Sequence, residues 1–197
     1  MKSRHALAAL MLIAAGPAMA EAPRWPVDAK NSRITFTAKQ MGVAIPGRFE
    51  RFTAAIRFDS NDLAGSKTAI DIDVSSVSTP NRDIETEIKR EPWFDATRFP
   101  TARFETVAFT HKGGERYDVA GRLTLRGVTK AVTLPATIRI ADDPAQPGML
   151  LAQASGDVQV SRTAFGIGQG QWRDVATVAD EVVIHFAIVA RRPKAGP

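Results

Sequence analysis

The stretch "YDVAGRLTLRGVTKAVTLPATIRI", residues 117 to 140, decides how the rest of the chain is read. Tyr117, Val119, Gly121, Leu123 and Leu125 fall on one face of an extended chain, and Asp118, Ala120, Arg122, Thr124 and Arg126 on the other. After Gly127 the alternation resumes, with Val132, Leu134, Ala136, Ile138 and Ile140 set against Thr133, Thr137 and Arg139. Successive strand side chains point to opposite faces, so this pattern predicts antiparallel strands with one face wet and one dry.

Working outward, the same alternation predicts eight strands, at roughly 32–39, 47–59, 67–77, 101–110, 116–126, 131–140, 149–160 and 181–190. "HKGGE" (111–115) and "GVTK" (127–130) are read as tight connections, and "ADDPAQPG" (141–148) as a longer polar loop, which makes the order a meander. The stretch "STPNRDIETEIKREPWFDATRFP" (78–100) loses the period of two and spaces Ile84 and Ile88 four apart, predicting a short amphipathic helix between the third and fourth strands. Thr79 caps it with Pro80 at the first helical position, or Asn81 caps it further on, and Pro92 limits it. Phe49 is out of phase with Phe52, and Phe109 with Phe104, so a bulge is expected at each place.

Eight meandering strands with one dry face end either as two stacked sheets or as one sheet closed into a barrel, which removes its edges. Strands of ten residues or more favour the barrel, whose interior at eight strands holds side chains or one small ligand. The fold class expected is therefore all-β, an eight-stranded antiparallel barrel with a short capping helix.

The first twenty residues are set apart by a basic start (Lys2, Arg4), the apolar run "ALAALMLIAA" and the small-residue exit "AMA". These are the marks of a secretory signal peptide cleaved after Ala20. Residues 21–197 then form a single exported domain, expected in the periplasm and large enough to bury about 70% of its unfolded surface. The chain has no cysteine. Its formal charge of +5 falls to +3 once Lys2 and Arg4 are removed, and the basic residues are scattered, which argues against a nucleic-acid partner. Only "ARRPK" (190–194) clusters them; it is either a solubilising end or a point of transient membrane contact. Homodimerisation stays open.

Chemistry-bearing constellations are missing. His5, His111 and His185 are the three histidines, none at ligand spacing from another. Asp59, Asp62, Asp71 and Asp73 lack the spacing of a calcium loop, and no serine sits in a nucleophile elbow. Neither a metal, nor a cofactor, nor enzyme activity is expected.

The dry face raises the functional question. Small residues lie among its bulky ones, Gly121 and Ala136 included, and they either leave room for a ligand or relieve crowding where strands bend. Apolar residues outside the strands, "PWF" (92–94), Phe99, "FGIG" (165–168) and Trp172, are too many for ordinary surface loops, so a lid over one barrel mouth is expected to bury them. If the interior is open, the lining of pore and lid is expected to comprise Phe36, Phe52, Ile56, Ile72, Val74, Trp93, Phe94, Phe99, Phe104, Gly121, Leu123, Leu125, Leu134, Ala136, Phe165 and Trp172.

Six ordered blocks, "VDAKNSRITF" (27–36), "IPGRFERFTAAIRFD" (45–59), "VSSVSTPNRD" (74–83), "PWFDATRFPTARFE" (92–105), "VAGRLTLRGVTKAVTL" (119–134) and "RTAFGIG" (162–168), resemble the YceI family of exported polyisoprenoid-binding proteins. The resemblance implies a lipocalin-like barrel with a long prenyl lipid in an apolar pore beneath a helical segment. One departure is Asn31, where the family usually has His. A carrier of a polyisoprenoid or a quinone-precursor-like chain is thus the expectation. The alternatives are a packed barrel acting through a protein partner in stress response, and a lipid-modifying enzyme.

Overall fold

A computed structural model describes residues 21–194; the expected signal peptide lies outside them. Among the described residues the chain forms ten strands, β1 (Arg33–Gln40), β2 (Val43–Phe49), β3 (Phe52–Arg57), β4 (Lys67–Asp73), β5 (Val77–Ser78), β6 (Thr101–His111), β7 (Arg116–Leu125), β8 (Val128–Asp142), β9 (Met149–Ser161) and β10 (Glu181–Pro193), and one α-helix, α1 (Arg82–Ile88).

Ten segments make eight barrel staves. β2 and β3 are one path interrupted at Glu50–Arg51, and β4 and β5 are one path interrupted by a 3-10 turn at Val74–Ser76. The first path pairs with β1 through β2, and with the second path through both halves: Phe52 opposes Ile72, and Phe49 opposes Val77. The breaks are stitched across: the Glu50 amide donates to Ser76 O at 3.1 Å and the Asp73 amide to Arg51 O at 3.0 Å. Antiparallel pairs then run β4–β6, β6–β7, β7–β8, β8–β9, β9–β10 and β10–β1, so the ring closes. Closure supplies every stave with two neighbours and leaves no long edge.

Both aromatic phase slips have causes. One is the Glu50–Arg51 break; the other is a bulge between Thr106 and Ala108, which turns Val107 outward with 64% of its surface exposed. The expected connections need correction at two hairpins. Met41–Gly42 (φ 49° and 80°) and Arg126–Gly127 (φ 48° and 73°) are two-residue turns of left-handed residues, joining Gln40 to Val43 and Leu125 to Val128. The second strand therefore starts at Val43 instead of 47, and the sixth stave at Val128 instead of 131. Such turns are normally announced by Asn or Asp before Gly; here Met and Arg occupy that place.

Trp25 closes one end of the barrel. Its amide donates to Ile56 O and its indole Nε1 to Phe58 O, both at 2.9 Å, and only 3% of the residue is exposed. α1 lies near the opposite end. There Asn81 is the N-cap, its side chain accepting from the Asp83 and Ile84 amides at 2.8 and 3.4 Å.

Candidate functional site

Among the described residues, an interior cavity and a cavity at the mouth stand out along the barrel. The interior one has about 160 Å³ of free space, bounded by Trp25 at its closed end and by alternating residues of the staves. No charged side chain lines it, and of its three polar side chains Trp25 Nε1 donates to Phe58 O and Thr106 Oγ1 accepts from the Thr68 amide at 2.9 Å, the Thr68 hydroxyl being the third. An uncharged, largely apolar chamber of this kind suits a hydrocarbon and not an ion.

Of the expected lining, Ile56, Ile72, Phe104, Leu123, Leu125, Leu134 and Ala136 do face this chamber. Gly121 does not, and the idea that its lack of a side chain leaves space is corrected. A Cβ there would lie 2.4 Å from Phe104 Cε2 and 2.6 Å from Glu105 O, because the Phe104 ring already covers the glycine. Gly47 under Phe36 and Gly156 under Phe186 repeat the arrangement. Interior glycines thus seat aromatic rings from the next stave, whereas the alanines Ala136, Ala152 and Ala154 provide the room.

Phe52, Val74, Phe94, Phe99 and Phe165 line neither cavity. Val74 and Phe165 are fully packed core, Phe52 packs against that core, and Phe94 stacks edge-on to Phe49 at 6.0 Å. Phe99 lies under the Arg126–Gly127 turn with the guanidinium groups of Arg98 and Arg126 over its ring at 5.2 and 5.8 Å. Sequence reasoning left out Trp25, because a lone tryptophan before the first strand carries no alternation. It also left out Phe49 and Phe109, whose phase is set by the break and the bulge.

The second cavity, about 250 Å³, lies between α1 and the barrel mouth. Ile84 and Ile88 come from the helix, Phe36, Ala38 and Ile45 from the first hairpin, and Trp93, Trp172 and Val178 from the connections. This is where the structure places Phe36, Trp93 and Trp172. Phe36 and Phe49, with ring centroids 5.7 Å apart, stand one in each lining, so an aromatic pair forms the partition between the chambers.

Arg162, only 3% exposed, organises this mouth. Its guanidinium donates to five carbonyls, those of Ala179, Ile167, Gly168, Trp172 and Val178, at 2.7–3.2 Å. Burial lowers its pKa, with the nearby Asp180 charge opposing. The same guanidinium stacks 5.6 Å over the Trp93 ring, while the Gly168 and Gln169 amides donate to Pro92 O at 2.8 and 2.7 Å. One buried cation therefore ties the two apolar connections, "PWF" and "FGIG", into a single wall. Among the described residues no three His, Cys, Asp or Glu side chains converge as a metal site.

Residues 25–190 match the family model of the YceI-like domain. A UPF0312 protein of Pectobacterium carotovorum is 31% identical over 186 residues, covering 93% of each chain. The crystal structure of BcnA from Burkholderia cenocepacia superposes with a TM-score of 0.76 at 34% identity, covering 83% of this chain and 99% of that one. A polyisoprenoid-binding domain from Saccharophagus degradans superposes with a TM-score of 0.66 at 15% identity over 86% of this chain and 98% of that one, a likeness of fold.

Proposed function

The chain belongs to the YceI-like family, and from that premise we propose that it is a carrier that holds a polyisoprenoid chain in its barrel interior. The observation that carries this reading is the interior chamber with no charged lining residue and no free polar atom at Trp25 or Thr106. The Saccharophagus degradans neighbour, described as polyisoprenoid-binding, supports it. The binding force is apolar burial, worth ~0.8 kcal/mol per buried carbon. The interior chamber and the mouth cavity, about 160 and 250 Å³, take only part of a long prenyl chain as they stand, a space of about 150 Å³ suiting a benzene ring, so cavity shape and not the sum of contacts selects chain length.

The leader-like first twenty residues support export, and so a periplasmic site of action. Among the described residues no helix is long and apolar enough to cross a membrane. The chamber's lining of apolar side chains, with two threonines and one tryptophan as its polar members, supports a binding role. Organic-solvent extraction of protein purified without detergent, followed by mass spectrometry, is the test. A stoichiometric prenyl species is expected; an empty extract from folded protein would overturn the carrier reading.

A further inference from the structure

We propose that the cavity beneath α1 is a head-group site, in which the indole N–H groups of Trp93 and Trp172 donate hydrogen bonds to an uncharged carbonyl oxygen on the ligand. The inference rests on the carrier reading, since the ligand's apolar tail then passes the Phe36–Phe49 pair, whose rings must swing aside, into the interior chamber. Its starting point is an imbalance: Trp93 Nε1 and Trp172 Nε1 are both shut off from solvent and neither has a hydrogen-bond partner. A buried donor without an acceptor bears its full desolvation cost, and native proteins rarely tolerate it without cause. Here two such donors belong to neighbouring rings, with centroids 5.4 Å apart, and both residues line the same cavity.

The pair is held in place from behind. Arg162 stacks on the Trp93 ring and donates to the Trp172 carbonyl at 2.8 Å, and its other donors are consumed by backbone oxygens. The guanidinium is therefore a positioning group and not an anion ligand. Trp25 makes the contrast plain: its indole N–H, in the neighbouring chamber, is satisfied by Phe58 O.

Charge selects the class of head group. The cavity lining has one cation, Lys39, against two carboxylates, Asp83 and Glu87. A diphosphate meets net negative charge there, whereas indole donors suit a neutral acceptor. An ester, amide or ketone oxygen fits.

The exported protein is titrated with geranylgeranyl acetate, with the corresponding hydrocarbon and with geranylgeranyl diphosphate. Trp93→Phe and Trp172→Phe keep a ring and remove the donor. Each is expected to weaken acetate binding about tenfold more than it weakens hydrocarbon binding. In the unaltered protein labelled with nitrogen-15, saturating acetate is expected to shift the Trp93 and Trp172 indole signals downfield and leave that of Trp25 in place, which keeps the proposal testable should a variant misfold. Equal losses for acetate and hydrocarbon, stationary Trp93 and Trp172 signals, or tighter binding of the diphosphate than of the acetate would each overturn the head-group site while leaving the carrier reading intact. Binding of neither acetate nor hydrocarbon would overturn both.

Discussion

Interior glycines and interior alanines do different work in this barrel. At Gly121 an added side chain meets the Phe104 ring and a backbone oxygen at once, and a backbone oxygen cannot rotate away. Gly121→Leu is therefore expected to destabilise the fold by about 1–3 kcal/mol or more. Ala136 instead faces free space in the chamber, so Ala136→Leu is expected to hold near-parental stability and lose the bound lipid. Urea denaturation midpoints, read beside extractable prenyl lipid, check the pair. Similar stability losses in both would mean that the chamber is not open at Ala136. Alternation put both residues on the dry face, but which of them leaves room is set by where the neighbouring stave lays its rings.

The helix over the mouth is a single short element, and so its stability depends on its ends. Seven residues are too few to persist without tertiary support, and the Asn81 side chain serves two of the first-turn amides. Asn81→Ala is expected to cost about 1 kcal/mol of local helix stability. Because Ile84 and Ile88 wall the second cavity, that fraying is expected to quicken ligand release several-fold while changing entry little. Stopped-flow binding with a fluorescent prenyl probe separates the two rates; an unchanged off-rate would make α1 mere closure. The helix and one of its two candidate caps were legible from Ile84, Ile88 and Asn81. The turn at Gly127 was legible only as a tight connection over 127–130, and the one at Met41–Gly42 not at all, since Met41 and Arg126 carry no preference for the conformation they adopt.

At the scale of the whole molecule, a charged clasp joins segments far apart in sequence. Arg191 on β10 bonds Asp143, beyond β8, at 2.7 Å, and also Asp28 of the N-terminal segment. Asp143 is held below the ordinary aspartate range by the Ala145 amide and then by Arg191, and Asp28 by the Asn31 side chain and then by Arg191, each against the opposing effect of burial. Carboxyls with depressed folded pKa values contribute stability that is present above their unfolded pKa and is lost as pH falls through the folded value. Stability is thus expected to decline below about pH 4, and Asp143→Asn to lower it at neutral pH while flattening that decline. Thermal unfolding across pH checks this; parallel curves for parent and variant would remove the clasp from the account.

Alternation determined the all-β class and the meander order, its loss between residues 78 and 100 marked the helix, and its phase slip at Phe109 marked the bulge, because the period of side chains along a strand is a local property written into neighbouring residues; the slip at Phe49, expected as a bulge, is a break in the strand. Alternation also placed Ile56, Ile72, Leu123 and Leu134 toward the interior. Three things lay beyond it: that Glu50–Arg51 and Val74–Ser76 interrupt two staves without opening the ring, that Phe104 fills the space over Gly121, and that Trp93 and Trp172 meet under Arg162. Each depends on which residues the closed sheet brings opposite one another across long stretches of chain. That placement comes from register, twist and the packing of rings, and only the tertiary structure decides it.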